Sequence, residues 1–201
     1  MRTWAVVPVK RFDEAKSRLA PVLGPIARAA LARALFDRAV GVLSQAEGIV
    51  GVVVVSNSPD LLDDDLTDNV VLVQDPRGTP SLGSVVDAGL DRVEKEGGDA
   101  ALVVMSDLPS VTGSDVSALL AALAGADAVV VADEPGAHTN ALGFRMAHRF
   151  PTSFGEPDSF ERHCSAARDA GLSLVTPVIS GIAFDLDEPS DLSRKEIADP
   201  A

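Results

Sequence analysis

Three aspartates in this 201-residue chain stand where apolar segments give way to polar ones. Asp107 follows the apolar run in "VVMSDLPS" (103–110), and Asp185 and Asp187 stand in "IAFDLDEPSDL" (182–192). Side chains two apart in a strand point the same way, so Asp185 and Asp187 would repel each other unless a divalent cation lay between them. Carboxylate oxygens suit Mg²⁺, and a carboxylate at a strand end could hold that ion on nucleotide phosphates. The pattern therefore indicates a metal–nucleotide site.

These aspartates also have ordinary structural explanations. Asp107 precedes Pro109 and would fit a turn or a helix cap, and Asp187 precedes Pro189, where a helix N-cap is expected. Asp191 would fit the first turn of that helix, because acidic side chains stabilise helix N-termini. The residues alone leave metal binding and capping open.

Cations collect in the loop that follows the first apolar segment. The first 38 residues carry eight Lys and Arg against three acids, a net charge of +5 in a chain whose net charge is -13. Lys10 would stand at the carboxyl end of the first strand, with Lys16 and Arg18 on the loop after it. Two or three such cations can surround a triphosphate and neutralise a pyrophosphate leaving group. The alternative is a solvated loop with Lys/Glu pairs.

Two small polar loops could hold a second anion. One, "EPGAHTNALGF", contains Thr139; the other, "FGEPDSFERH", makes a glycine turn at Gly155 and opens a helix near Ser159. Free amides at a helix start, together with these hydroxyls, suit a small anion. The alternative is ordinary turn chemistry with an N-cap at Asp158 or Ser159.

The elements that must position these residues follow from the apolar patterning. Continuous β-branched runs predict central strands of a parallel sheet at 5–9, 49–56, 70–74, 101–106 and 128–132. Further strands are predicted at 141–145, 172–178 and 182–186. Helices are predicted from Pro25 onwards and near 82–96, 113–124, 158–170 and 188–197. This alternation predicts one three-layer α/β domain over residues 1–201, with ligands bound beyond the carboxyl ends of the strands.

Composition excludes several classes of protein. No apolar run reaches the roughly 18 residues of a membrane helix, and the N-terminus lacks the apolar segment of a secretory signal. The single cysteine, Cys164, allows neither an internal disulfide nor a zinc cluster and predicts a cytoplasmic location. The acidity argues against binding to nucleic acid or to an anionic membrane. Walker, Rossmann-type and nucleophile-elbow glycine motifs are absent, and the three histidines show no metal-ligand spacing.

Five segments, taken in order, resemble a known family nearly end to end: "PVKRFDEAKSRLAPVL", "MSDLPSV", "HTNAL", "FGEPDSFERH" and "FDLDEPSDL". The family is that of the 2-phospho-L-lactate and phosphoenolpyruvate guanylyltransferases of deazaflavin-coenzyme biosynthesis. The related molybdenum-cofactor and sugar nucleotidylyltransferases use a glycine-rich opening loop, which this chain lacks. The resemblance implies a nucleotidyltransferase version of the Rossmann-like fold. It also implies transfer of GMP from GTP to a phosphorylated three-carbon acid, with release of pyrophosphate.

The resemblance also implies roles for individual residues. Lys10, Lys16 and Arg18 would contact the GTP phosphates. Asp107 and Asp187 would bind Mg²⁺, with Asp185 beside them. The three-carbon acid would lie against Thr139, Gly155 and Ser159. A homodimer is one option for the assembly.

The chain departs from the family pattern at three places. Gly83 follows Leu82 where relatives usually have Leu-Asn, His138 replaces a usual glycine, and the turn from Gly155 to Ser159 is one residue longer. These departures leave open another nucleotide or acceptor, such as CTP or 3-phosphoglycerate. They also leave open a nucleotide-binding protein without turnover.

Overall fold

Seven strands form one sheet in the part of the chain that the structure describes. A computed structural model describes residues 1–58, 61, 67–75 and 81–194. The strands lie in the order β3-β2-β1-β4-β6-β5-β7. Their bounds are Thr3–Pro8 (β1), Ile49–Ser56 (β2), Val70–Gln74 (β3), Ala100–Val104 (β4), Ala128–Ala132 (β5), Thr139–Arg145 (β6) and Leu174–Val175 (β7).

Only β6, among the described strands, runs against its neighbours. It pairs antiparallel with β4 and β5, and all other pairs in the sheet are parallel. The mostly parallel α/β sheet predicted from the apolar runs is therefore confirmed. Because β6 is reversed, its first residues, Thr139 and Asn140, lie at the edge of the sheet where β4 and β5 end.

Helices cover both faces of the sheet. They are α1 (Pro25–Gln45), α2 (Leu82–Lys95), α3 (Gly113–Ala124), α4 (Ser159–Asp169) and the short α5 (Ser180–Ala183). The described residues also form four short 3-10 turns, at Phe12–Glu14, Ser17–Leu19, Met146–His148 and Pro189–Ser193. Val52 and Val54 belong to a buried cluster with residues of α1 and α3, and Val53 and Val55 belong to a second cluster with residues of α2 and α4. Alternate side chains of a strand thus fill two cores, which confirms the three-layer arrangement.

The C-terminal part of the prediction is corrected by the structure. Residues 182–186 were predicted to form a strand, but α5 ends at Ala183 and an extended segment follows. The side-chain amide of Asn140 donates to the carbonyls of Ile182 and Ala183, at 2.9 and 3.2 Å. The Ala183 carbonyl also accepts the backbone N–H of Glu134 at 2.9 Å, and neither carbonyl takes part in a strand ladder of the described sheet.

Two neighbouring predictions change as well. The strand predicted at 172–178 is reduced to β7, because Pro177 offers no N–H to a ladder. The helix predicted near 188–197 is a 3-10 turn over Pro189–Ser193, and residues 195–197 lie outside the described residues. Among the described helices, none is long and apolar enough to cross a membrane.

Candidate active site

The three aspartates singled out in the sequence come together at the carboxyl edge of the sheet. One oxygen from each of Asp107, Asp185 and Asp187 lies within 4.8 Å of the other two. The Leu186 N–H donates to the Asp107 carbonyl at 3.1 Å and so ties the two acidic segments together. Leu186 itself is fully buried. The extended backbone therefore sends the leucine inward and its two aspartate neighbours to the other side.

The acidic cluster, formed by Asp107, Asp185 and Asp187, has the donor chemistry of a divalent cation site. Burial, and then the neighbouring Asp107 carboxylate, raise the pKa of the Asp185 carboxyl above its usual value. An Asn140 amide hydrogen bond to Asp185, at 3.3 Å, partly opposes this shift. Three close carboxylates repel one another, and hard oxygen ligands are those that Mg²⁺ takes, with metal–oxygen distances of about 2.0–2.1 Å. The three oxygens, all within 4.8 Å of one another, could hold a divalent cation.

Lys16 lies between two of these carboxylates. Its ammonium donates to Asp107 Oδ2 at 2.9 Å and to Asp187 Oδ1 at 3.0 Å, and its side chain is only 6% exposed. Burial alone would lower the pKa of this ammonium, but the Asp107 and Asp187 carboxylates outweigh it and raise the pKa. Lys16 is therefore charged and neutralises part of the acidic cluster.

The loop that carries Lys16 is anchored by apolar side chains on both sides. The ring of Phe12 is buried and packs on Phe36 of α1, with ring centroids 5.6 Å apart. Leu19 is fully buried in a cluster with Leu35 of α1 and Leu186. Leu186 lies between two aspartates in the chain, so the same contact holds the cationic loop against the acidic segment.

Arg18 lies at the rim of the acidic cluster, and Lys10 does not join it. Arg18 Nη1 is 3.1 Å from Asp187 Oδ2 and 3.7 Å from Glu188 Oε1, and its side chain is 64% exposed. An exposed pair of this kind adds little stability, so its guanidinium can turn to another anion. Lys10 is exposed and makes no ion pair with any described residue. Its phosphate-binding role stays a prediction.

The capping alternative does not describe Asp187. The N-cap of the turn Pro189–Ser193 is Glu188. Asp191 accepts hydrogen bonds from the N–H groups of Asp187 and Glu188, at 2.9 and 2.6 Å. Asp191 is thus the first-turn acid that the sequence predicted, and the Asp187 carboxylate faces Lys16 and Arg18.

Two of the three residues predicted to hold a second anion, Thr139 and Ser159, contact each other. The hydroxyl oxygen of Ser159 accepts a hydrogen bond from the Thr139 N–H at 3.1 Å, and both residues are buried. Gly155 is exposed and has φ of +82°, a left-handed conformation that side chains disfavour. An added Cβ there would also lie 3.0 Å from Leu82 Cβ. The turn thus requires glycine at this position.

The start of α4 offers unpaired amides beside that turn. The N–H groups of Gly155, Asp158 and Ser159 donate no hydrogen bond to any described residue. Asp158 is the N-cap by position, with φ of +55°, but its side chain makes no capping hydrogen bond. The amide groups and the positive end of the helix dipole are therefore available to an anion.

This chain matches a family model described as "Guanylyl transferase CofC like" over residues 3–197. The chain belongs to the CofC-like guanylyl transferase family. It is 35% identical to the phosphoenolpyruvate guanylyltransferase of Sphaerobacter thermophilus, with 96% of this chain and 92% of the relative covered. It is 40% identical to that of Rubrobacter xylanophilus, with 98% and 94% covered. It is 32% identical to the 2-phospho-L-lactate guanylyltransferase of Methanothermobacter thermautotrophicus, with 96% and 84% covered.

Solved structures of other nucleotidyltransferases share the fold of this CofC-like chain. A nucleotidyl transferase from Methanothermobacter thermautotrophicus has a TM-score of 0.66 at 15% identity, covering 95% of this chain and 94% of that one. A 4-diphosphocytidyl-2C-methyl-D-erythritol synthase has a TM-score of 0.61 at 14% identity, covering 95% of both chains. At this identity the likeness concerns the fold, and it confirms the predicted nucleotidyltransferase version of the Rossmann-like arrangement.

The structure shows what surrounds two of the residues that depart from the family pattern, Gly83 and His138. A Cβ added at Gly83 would meet no atom closer than 3.6 Å. Steric crowding therefore does not require glycine at this position. His138 Nδ1 lies 3.0 Å from Asp133 Oδ2, and Asp133 also accepts the N–H groups of Ala137 and His138. The histidine therefore closes the loop that leads into β6.

Two buried polar residues near the site were not assigned a role from the sequence. Asn140 holds α5 and Asp185 in place, and His163 contacts both Thr139 and Ser153. The first, Asn140, is a polar residue that directly precedes the run predicted as a strand at 141–145. The second stands four residues after Ser159 on α4 and so shares its helix face. These two patterns could have indicated both residues.

We expect the buried imidazole of His163 to make stability depend on pH. Burial lowers the pKa of His163 to about 4, whereas an unfolded histidine titrates near about 6.5. The folded state therefore binds fewer protons, and its stability is lost as pH falls from about 6.5 towards about 4. Between about pH 7.5 and about pH 5 this group should remove about 2 kcal/mol from the free energy of unfolding.

Urea unfolding at the two pH values checks this expectation. The pH-dependent loss should be smaller in His163→Gln than in the wild-type chain. His138→Gln, which removes an exposed imidazole, is the matched control. Equal losses in the wild-type chain and in His163→Gln would contradict the expectation.

Proposed function

We propose that this protein transfers GMP from GTP to phosphoenolpyruvate or 2-phospho-L-lactate in deazaflavin-coenzyme biosynthesis, with Mg²⁺ as cofactor. The observation that carries the proposal is the contact of Lys16 with Asp107 and Asp187 at the carboxyl edge of the sheet. Membership of the guanylyl transferase family supports the reaction class. The more similar relatives cited above carry the phosphoenolpyruvate name, so phosphoenolpyruvate is our first choice of acceptor.

The proposed reaction needs no covalent enzyme intermediate. A phosphate oxygen of the acceptor attacks the α-phosphorus of GTP in line, a new P–O–P bond forms, and the bond to the β-phosphate oxygen breaks. Pyrophosphate leaves with the electron pair of that bond. The acceptor phosphate is already an anion, so no side chain has to remove a proton from it. The product is a guanosine diphosphate diester of the three-carbon acid.

The residues of the site would have separate roles in metal binding and in contacts to the phosphates. Asp107, Asp185 and Asp187 would hold Mg²⁺, which when bound neutralises charge on the phosphates. Lys16 would release part of its pairing with the carboxylates and contact the triphosphate, and Arg18 would reach the leaving pyrophosphate from the rim. Preorganised cations at the position where charge develops stabilise the transition state more than the ground state.

The pairing of nucleotide and acceptor is tested by a pyrophosphate-release assay. GTP, ATP and CTP are each combined with phosphoenolpyruvate, 2-phospho-L-lactate and 3-phosphoglycerate, with and without Mg²⁺. We expect release only with GTP and Mg²⁺, and fastest with phosphoenolpyruvate. A preference for CTP, or no release from any pair, would overturn the proposal.

We expect the acceptor to lie between Thr139 and the turn from Gly155 to Ser159. Removing one hydroxyl should cost roughly 1–3 kcal/mol of acceptor binding, as for a hydrogen bond to a charged group. Thr139→Val and Ser159→Ala should thus raise the acceptor KM about 5- to 150-fold and leave the GTP KM nearly unchanged. Ser165→Ala, on the same helix but bonded to Glu161, is the control. A change in the GTP KM alone would assign these loops to the nucleotide.

A further inference from the structure

The protonation of His163 can be deduced from its two hydrogen bonds. The ring is fully buried, and its Nε2 lies 2.7 Å from the backbone nitrogen of Ser153. A backbone N–H can only donate, so Nε2 must accept. A neutral imidazole carries its one hydrogen on the other nitrogen. Nδ1 therefore donates to the Thr139 hydroxyl oxygen, which lies 2.9 Å away.

Given this tautomer, the hydrogen-bonding roles of the neighbouring Thr139 and Ser159 hydroxyls can be assigned. The Thr139 oxygen accepts from His163, and the Ser159 oxygen accepts from the Thr139 N–H. The structure shows no acceptor among the described residues for the hydrogen of either hydroxyl. Both are therefore left as donors, and carboxylate and phosphate groups only accept.

His163 also joins three segments around the proposed acceptor site. It belongs to α4, it bonds to β6 through Thr139, and it bonds to the turn through Ser153. The ring of Phe154, in the same turn, packs on the imidazole with centroids 4.6 Å apart. The unpaired amides of Gly155 and Ser159 lie between Phe154 and His163 in the chain.

We propose that His163 is a positioning residue for the acceptor: it holds the 153–158 turn against β6 and directs the Thr139 hydroxyl towards the bound acid as a donor. The proposal rests on the acceptor site proposed above. His163 touches neither of the reacting phosphates and acts through Thr139 and Ser153. Because burial lowers its pKa to about 4, the ring stays neutral at neutral pH and keeps both hydrogen bonds.

Two substitutions each remove one of the two hydrogen bonds of the His163 ring. His163→Asn keeps an amide near the Nδ1 position and loses the acceptor for Ser153. His163→Gln can accept from Ser153 and loses the donor to Thr139. Each should raise the acceptor KM by about tenfold or more and change the GTP KM by no more than about twofold, since only acceptor contacts are displaced. Cys164→Ala, a buried neighbour on the same helix, is the control for lost packing.

The comparison with Cys164→Ala distinguishes a positioning role of His163 from a packing role. Cys164→Ala should lower the melting temperature and leave the acceptor KM close to the wild-type value. If the His163 variants raise the acceptor KM no more than Cys164→Ala does, His163 is a packing residue only and the proposal is wrong.

A measurement on the wild-type chain keeps the proposal testable should the variants not fold. Nitrogen-15 shifts of the imidazole should report the Nδ1–H tautomer of His163 and should move when phosphoenolpyruvate is added. The Nε2–H tautomer, or no response to phosphoenolpyruvate, would overturn the proposal. These readings do not depend on turnover. Failure of pyrophosphate release would therefore overturn the proposed transfer and leave the result for His163 standing.

Discussion

Replacing Asp107 by asparagine should slow guanylyl transfer by about a hundredfold or more while the protein stays folded. The amide keeps the shape of the side chain and can still accept from Lys16, but it offers no full negative charge to Mg²⁺. Loss of one charged ligand weakens the hold on an ion whose charge stabilisation contributes several kcal/mol, and about 2.7 kcal/mol corresponds to that factor. Pyrophosphate release at saturating Mg²⁺, GTP and phosphoenolpyruvate measures the effect.

Asp187→Asn should have a similar effect, because its carboxylate belongs to the same acidic cluster. The double variant should lose less than the product of the two single losses, since both residues act through one ion. Asp169→Asn, at the exposed end of α4, is the control for a change in net charge alone. Near-normal turnover of Asp107→Asn would reject the metal assignment.

Replacing Lys16 by methionine should abolish most turnover and also destabilise the protein. The methionine keeps much of the volume of the side chain but leaves Asp107 and Asp187 without the ammonium that lies 2.9 and 3.0 Å from them. Leaving a half-buried charged group without its partner costs about 1–3 kcal/mol of stability. Because a bound cation can neutralise the same carboxylates, Mg²⁺ should raise the melting temperature of this variant more than that of the wild-type chain.

Arg18→Met is the matched comparison for this prediction. Its pairs with Asp187 and Glu188 are exposed, so its removal should change stability by less than about 1 kcal/mol while GTP binding still weakens. Thermal unfolding with and without Mg²⁺, and calorimetric titration with GTP, measure both quantities. The Lys16→Met protein could instead be as stable as the wild-type chain, with a melting temperature that Mg²⁺ does not change. That result would show that the ion pairs do not hold the acidic cluster together.

Local sequence patterns predicted most, but not all, elements of this fold. The helix over Gly113–Ala124 and the helix start at Pro25 lie where the sequence predicts them, and the strand over Ile49–Ser56 matches its apolar run. These patterns depend on the periodicity of side chains along one segment, which is set by backbone geometry alone. The strand order and the reversal of β6 depend on pairing between distant segments, which no local pattern records.

For the candidate site, too, the sequence indicated some features and only the tertiary structure showed others. Residue type and position at predicted strand ends singled out the three aspartates, and the concentration of cations in one loop singled out Lys16 and Arg18. Only the tertiary structure places the Lys16 ammonium between Asp107 and Asp187, which lie 91 and 171 residues away along the chain. Likewise, the sequence assigned no role to His163, because its partners Thr139 and Ser153 meet only where β6 and the turn before α4 pack together. A side chain's chemistry follows from its type, whereas its partners depend on which segments converge at the edge of the sheet.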